Sequence, residues 1–167
     1  MDFDTASNSE FDKAFHKLLG HEGGYSNHKQ DRGGETMWGV TERVARANNY
    51  YGSMKDLPVE KAKEIYKKDY WNPIRADELP ASLRYLVFDA AVNSGVTQSI
   101  KWLQAAVSVQ EDGVIGRITL AACNALEPHL VARRMLAARL EFMSSLSTWP
   151  SFGRGWARRI ASLLNDV

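Results

Sequence analysis

A carboxylate followed by two glycines is the feature of this sequence best suited to chemistry. Glu22 stands in the stretch His21-Glu22-Gly23-Gly24-Tyr25, at the end of an apolar-periodic segment that predicts a helix. Glycine has no Cβ and accepts positive φ, so Gly23 and Gly24 would let a bulky ligand approach the carboxyl group. A carboxyl group that closes a rigid helix beside an open groove suits general acid catalysis on a large substrate. The alternative is a solvated last helical turn with a glycine C-cap, a common pattern.

A second glycine-rich segment, DRGGETMWGV over positions 31–40, supplies further polar candidates. Asp31 is the first candidate for a second carboxylate. Its structural alternative is a turn residue, because Asp often begins turns. Glu35 is a further candidate and ranks behind Asp31, since it is expected at a loop tip.

These two segments together resemble a known enzyme family. HEGGY at 21–25 followed by D-x-G-G-x-T-x-x-G-V at 31–40 is similar to the start of the phage endolysins and secretion-associated muramidases of glycoside hydrolase family 108. Further matches are DAAVNSG at 89–95, DGVIG at 112–116 and FGRGW at 152–156, so the resemblance spans roughly Phe11 to Ile160. It implies a lysozyme-like fold and a peptidoglycan hydrolase, an N-acetylmuramidase that cleaves the MurNAc–GlcNAc β-1,4 bond as an endolysin or a wall-remodelling enzyme.

The resemblance also implies roles for single residues. Hydrolysis of a glycosidic bond needs an acid and usually a second carboxylate, and Glu22 is the expected acid. Asp31 lies nine positions after Glu22, as in phage-type lysozymes, where a Thr follows. Thr36 is the candidate for orienting water, although it lies five positions after Asp31 where six is usual.

Sugar polymers bind to aromatic faces and amide groups in grooves. Tyr25, Trp38 and Asn93 are the residues near the motifs that could bind substrate in this way, and each could equally be a core or capping residue. Two alternative functions stay open. One is a lytic transglycosylase, which uses a single Glu, and the other is a non-catalytic peptidoglycan-binding protein.

The sequence predicts neither a metal site nor a cofactor. Its four histidines, His16, His21, His28 and His129, show no HxxxH or HExxH spacing, and the single Cys123 excludes a CxxC pair. Zinc ligation is therefore not expected. Cys123 lies in an apolar helical segment, which favours a buried thiol.

The hydrophobic periodicity predicts an all-α protein with a glycine-rich loop or short hairpin after the first helix. We expect a catalytic lysozyme-like region over 9–95 and a helical peptidoglycan-binding-like region over 96–167, packed onto it as one compact unit. The second region carries an L-Q-x-A helix and a D-G-x-I-G-x-x-T turn in which Thr119 is expected to cap the following helix. Trp149-Pro150 is expected to end the helix that begins at Pro128, and a last helix is expected from about Gly155 to Leu164.

Composition limits the partners. The 167 residues are 44% hydrophobic with a net charge of only +1, which argues against a general nucleic-acid binder. Six arginines after Pro128, set against two acidic residues, suit weak contact of a basic C-terminal helix with an anionic surface, or simply a solvated helix face. No apolar run approaches the ~20 residues that span a bilayer, so stable membrane insertion is not expected.

The predicted partner is the glycan strand of peptidoglycan, and we expect a monomer. The acidic start Met1-Asp2-Phe3-Asp4 does not resemble a signal peptide. The expectation is synthesis in the bacterial cytoplasm and action on the wall in the periplasm after holin- or secretion-dependent release.

Overall fold

A computed structural model of the chain describes residues 9–20, 23–27 and 34–167, and these residues are mainly helical. The chain divides into two compact units, Met1–Asn72 and Pro73–Val167. The predicted division into regions 9–95 and 96–167 stays a prediction. The predicted all-α class is confirmed.

The first helix of unit 1, α1, runs from Glu10 to Leu19, and Ser9 is its N-cap. Ser9 Oγ accepts a hydrogen bond from the Asp12 backbone N–H at 3.1 Å, which satisfies one of the free N–H groups of the first turn. The end of α1 differs from the prediction. Gly20 adopts a φ of 56° and its N–H donates to His16 O, so the helix ends at Leu19. The prediction that Glu22 closes this helix is therefore wrong, and Glu22 itself lies outside the described residues.

A short β-hairpin with two residues in each strand follows, which confirms the predicted short hairpin. Its strands are β1 (Thr36–Met37) and β2 (Val40–Thr41), paired antiparallel. The turn residues Trp38 and Gly39 have φ values of 53° and 73°. Two positive φ values are typical of the type I′ turn, whose twist matches that of the paired strands.

The rest of unit 1 packs around aromatic residues. Helices α2 (Glu42–Ala47) and α3 (Val59–Tyr66) are separated by a 3₁₀ turn at Met54–Asp56, and a π-helical segment, Lys67–Trp71, continues α3. Phe15 of α1 meets Tyr66 edge-to-face with ring centroids 5.3 Å apart. Phe11 meets Trp71 in the same way at 5.5 Å. These contacts fix α1, and with it the point from which the chain enters the segment containing Glu22.

Unit 2 contains five α-helices among its residues 73–167, all of them described. They are α4 (Ala81–Ser94), α5 (Val96–Ala106), α6 (Arg117–Ala125), α7 (Pro128–Ser144) and α8 (Trp149–Leu164). Helix α4 packs against α5 and α7, and α8 packs against α7. Ala90 and Ala91 of α4 are fully buried, and their small side chains allow the helices to approach closely.

Helix α8 begins six residues earlier than predicted. Trp149 and Pro150 do not interrupt helical structure but form the first turn of α8. Proline is tolerated there because the N–H that it lacks would have no partner within the helix. Gly153 is buried, and a Cβ there would lie 2.5 Å from the Trp149 indole. The ring of Trp149 thus folds back over its own helix.

The turn between α5 and α6 is organised by Gln104, which is buried. Its Nε2 donates to Asp112 Oδ1 at 2.8 Å, and its Oε1 accepts from Gly113 N at 2.9 Å. Gly113 has the positive φ, 77°, that a tight turn requires. The prediction that Thr119 caps α6 is wrong, because the helix begins at Arg117. The Thr119 hydroxyl is buried and lies within hydrogen-bonding distance of Gln104 Nε2.

None of the described helices has both the length and the apolar character needed to cross a membrane.

Candidate active site

Three of the six predicted site residues lie together in unit 1. Tyr25, Thr36 and Trp38 belong to the hairpin and the strand-like segment beside it, which we call the hairpin site. Asn93 lies in unit 2, near the end of α4. Glu22 and Asp31 lie outside the described residues, so their predicted roles stay predictions.

The backbone of the hairpin site is tied to the segment that follows Glu22. Thr36 N donates to Ser26 O at 2.8 Å and Ser26 N donates to Thr36 O at 2.9 Å. Trp38 N donates to Gly23 O at 3.1 Å. The residue directly after Glu22 is therefore held by the hairpin turn, and Thr36 is held in a half-buried strand position.

Trp38 is the anchor of this arrangement. Its indole Nε1–H donates to Leu57 O at 2.8 Å. Its ring packs so closely over Gly23 that a Cβ there would lie 2.5 Å from the indole. Gly23 is needed because the Trp38 ring occupies the space of a side chain. The polar end of Trp38 is used within the fold, which leaves the ring itself for any contact with a sugar.

Tyr25 and Glu35 form the polar face of the hairpin site. The Tyr25 hydroxyl donates to Glu35 Oε1 at 2.6 Å, and Lys55 Nζ lies 5.1 Å from the centroid of the Tyr25 ring. The hydrogen bond to Glu35 is the main cause that raises the pKa of Tyr25 above its usual value. A carboxylate has about four acceptor sites, so Glu35 keeps capacity to accept from sugar hydroxyl groups. This pair was not predicted, although sequence reasoning named both residues separately.

Unit 2 contains an ion cluster that the sequence did not reveal. Asp89 of α4 is 1% exposed, and its Oδ2 accepts from Arg139 Nη1 at 2.7 Å. Its Oδ1 accepts from Arg159 Nε at 2.9 Å and Nη2 at 2.6 Å. Arg139 is 2% exposed and so does not belong to the basic surface that the arginine count suggested. One carboxylate joins helices α4, α7 and α8.

A pocket of about 280 Å³ lies beside this cluster. Its wall combines polar residues with an apolar side, which is the composition typical of ligand sites. Asn93 is exposed at this pocket. Its Nδ2 donates a hydrogen bond to Asp89 O at 2.8 Å, which fixes the orientation of the side-chain amide and therefore of its Oδ1. The residues lining the pocket are Asn93, Ser94, Gln98, Arg139, Phe142, Met143, Leu146, Trp156 and Arg159.

The described residues contain no cluster of three or more His, Cys, Asp and Glu side chains able to hold a metal ion. The prediction of a metal-independent site stays a prediction. Cys123 is buried, as expected, and burial raises the pKa of its thiol to about 11. A thiol with so high a pKa is not a nucleophile at neutral pH.

Comparison with known proteins identifies the family. The family described as Glycosyl hydrolase 108 matches residues 15–95, which include the hairpin site, α4 and Asn93. The structure of Brucella abortus SagA is similar to this chain with a TM-score of 0.83 and 35% sequence identity, over 93% of this chain and 91% of that one. A comparison with curated proteins gave no match. The shared architecture confirms the predicted lysozyme-like fold. The chain therefore belongs to the glycosyl hydrolase 108 family and is a peptidoglycan hydrolase of the lysozyme-like type.

Proposed function

We propose that this protein is an N-acetylmuramidase that cleaves the β-1,4 bond between MurNAc and GlcNAc, with Glu22 as the general acid. The observation that carries this proposal is the fixed position of Gly23, the residue next to Glu22. Its carbonyl accepts from Trp38 N at 3.1 Å, and the Trp38 indole packs against it. Effective acid catalysis requires a carboxyl group held in one place, and this family-matched segment supplies a rigid support directly beside one.

In the proposed mechanism, Glu22 donates its proton to the glycosidic oxygen as the bond to the sugar breaks. Asp31 stabilises the positive charge that develops on the sugar ring or activates the attacking water. Thr36 orients that water. The backbone of Thr36 is paired on one side with Ser26 and lies in β1, so its side chain has a defined direction.

Each unit carries predicted contacts for substrate, which are proposed here for each unit by itself. At the hairpin site, the ring of Trp38 and the Tyr25–Glu35 pair offer an aromatic surface and a hydrogen-bond acceptor. In unit 2, Asn93 offers an amide at the pocket. The proposed site of action is the bacterial cell wall, with holin- or secretion-dependent release from the cytoplasm.

The variant Glu22→Gln tests the assignment of the acid. Glutamine keeps the shape and loses the proton, so we expect wall lysis to fall about 10²- to 10⁴-fold with wall binding unchanged. Zymography and turbidity clearing on purified cell walls measure lysis, and a pull-down with the same walls measures binding. Glu10→Gln at the exposed start of α1 is the matched control and should lyse walls as the wild-type does. Lysis by Glu22→Gln at the wild-type rate would refute the assignment. Wall binding without lysis in the wild-type protein would favour a binding protein.

The variant Asp31→Asn distinguishes a hydrolase from a lytic transglycosylase. A transglycosylase uses the 6-hydroxyl of muramic acid as the nucleophile and needs a single acid/base. We expect Asp31→Asn to lower turnover strongly with a smaller change in binding, because the charge acts mainly in the transition state. Mass spectrometry of muropeptides released by the wild-type enzyme should show reducing muramic acid ends. Anhydro ends as the main product, or undiminished turnover of Asp31→Asn, would support the single-Glu mechanism instead.

A further inference from the structure

We propose that the pocket of unit 2 binds an organic carboxylate, held by Arg139 and Arg159 with a methyl-bearing carbon against its apolar wall. The pocket is bounded by the end of α4, the start of α5, and α7 and α8. The proposed function places the Asn93 amide at this pocket but names no substrate group that binds there.

The three side chains of the ion cluster do not balance in charge. Two guanidinium groups, those of Arg139 and Arg159, share one carboxylate, that of Asp89. Asp89 already accepts three hydrogen bonds from them. The cluster therefore carries one excess positive charge. A second carboxylate, supplied by a ligand, would neutralise it.

Arg139 also has an unused donor. Its Nε is fully buried and has no hydrogen-bond partner within the described part of the chain. A buried donor without an acceptor is unfavourable, because the group has left water and gained nothing in return. Since Arg139 lines the pocket, an anion bound there would lie beside this guanidinium group, whose hydrogen-bonding capacity is not fully used.

The start of α5 adds further donors. This helix begins at Val96, between the pocket residues Ser94 and Gln98. Its N-cap is Gly95, and no side chain in the described residues caps it. Free N–H groups and the positive end of the helix dipole favour an anion at such a place.

The remaining wall and the size of the pocket restrict the ligand. Met143, Leu146 and Trp156 supply the apolar part of the lining. The cavity of about 280 Å³ is below the ~300 Å³ at which sites for drug-sized ligands begin. It therefore suits a terminal or branching group of a polymer rather than a whole disaccharide.

Two groups of peptidoglycan carry a carboxylate on a methyl-bearing carbon. They are the C-terminal alanine of a stem peptide and the lactyl group of those MurNAc residues that carry no stem peptide, since an attached peptide converts the lactyl carboxyl group to an amide. The choice of wall carboxylates as ligands rests on the proposed function. The carboxylate specificity itself rests only on the pocket.

The experiment is an NMR titration of the full-length protein that follows the indole N–H resonance of Trp156. Two probe pairs are used: acetyl-D-alanyl-D-alanine against its C-terminal amide, and MurNAc against GlcNAc. We expect the acid of at least one pair to shift the Trp156 resonance with at least tenfold higher affinity than its neutral counterpart. The pair that discriminates identifies the source of the carboxylate.

Arg159→Gln is the diagnostic variant. Arg159 is 37% exposed, and its removal leaves the neutral pair Asp89–Arg139 in place. We expect it to weaken binding of the acid about ten- to hundredfold. Arg158→Gln, at the exposed neighbouring position on the same helix, makes the same change in net charge and should bind as the wild-type does. Circular dichroism confirms that both variants fold.

Equal affinity for acid and neutral probes, or equal loss of affinity in the two arginine variants, would overturn the proposal. Absence of any Trp156 shift with all four probes would do the same. Because binding is measured without turnover, the result is independent of the Glu22 assignment. A carboxylate-binding protein in which Glu22→Gln remains lytic would refute the proposed acid and leave this inference standing.

Discussion

The hairpin site of unit 1 and the ion cluster of unit 2 are built in opposite ways. The hairpin site joins residues close in sequence: Tyr25 bonds Glu35 ten positions away, and Trp38 bonds Leu57 nineteen positions away. The ion cluster joins Asp89 to Arg139 and Arg159 across 50 and 70 positions. Tyr25, Glu35 and Trp38 are half-buried, whereas Asp89 and Arg139 are almost fully buried.

This difference separates two kinds of contribution to an active enzyme. Half-buried hydrogen bonds contribute little free energy but define where a side chain points. Removing one partner of a buried ion pair costs much more free energy, because the remaining charge is left in the interior without a counter-charge. We therefore expect loss of the shared carboxylate of Asp89 to destabilise the protein strongly and changes in the hairpin site to act on local geometry.

The largest effect is expected from Asp89→Asn. Asparagine keeps the shape of the side chain but leaves two arginines without a counter-charge, so the free energy of unfolding should fall by about 3–5 kcal/mol. Urea denaturation followed by circular dichroism measures the change. Glu78→Gln is the control, since its ion pair with Arg75 is exposed and should contribute little. An unchanged midpoint for Asp89→Asn would show that the cluster is not a structural element.

A smaller effect is expected from Gly23→Ala at the hairpin site. The new Cβ would displace the Trp38 indole, and overpacking of this kind costs about 1–3 kcal/mol. Gly24→Ala, one position later, is the matched control because none of the described atoms lies within 4 Å of its added Cβ. Unfolding midpoints of the two variants decide the matter. If both variants have the same unfolding midpoint as the wild-type protein, the indole is not held against Gly23.

The smallest effect is expected in tyrosine titration. The hydrogen bond to Glu35 raises the pKa of Tyr25, whereas burial raises the pKa of Tyr85, beside Asp89, to about 12. Glu35→Gln should move the pKa of Tyr25 down toward its usual value of ~10 and leave that of Tyr85 unchanged. NMR of the tyrosine rings against pH measures both.

The sign of the linked stability follows from the direction of the shift. Because the folded-state pKa of Tyr25 is raised, its hydrogen bond stabilises the fold below the unfolded-state pKa, and this stabilisation is lost as the pH rises through the raised value. Loss of the wild-type stability advantage over Glu35→Gln at neutral rather than alkaline pH would contradict the role of the protonated tyrosine.

Local signals allowed much of the fold to be predicted. Ser9 and Thr41 are of the residue types favoured at helix N-caps, and both cap their helices. Gly113 has the positive φ of a tight turn. Each of these features depends on a few neighbouring residues, so spacing in the sequence is sufficient to find it. The same locality explains the errors. Gly20 ended α1 before Glu22, and Pro150 opened α8, because glycine and proline each permit two structural interpretations and packing chooses between them.

The sequence by itself determined the helical class, the hairpin, the family motifs and the candidate carboxylates. Only the tertiary structure decided that Tyr25 bonds Glu35, that Trp38 covers Gly23, and that Arg139 is buried with Asp89. A count of arginines treats each as a surface charge, since charged residues are rarely buried unless they are paired. The pairing of Asp89 with two arginines depends on how α4, α7 and α8 pack, and no local pattern encodes that arrangement.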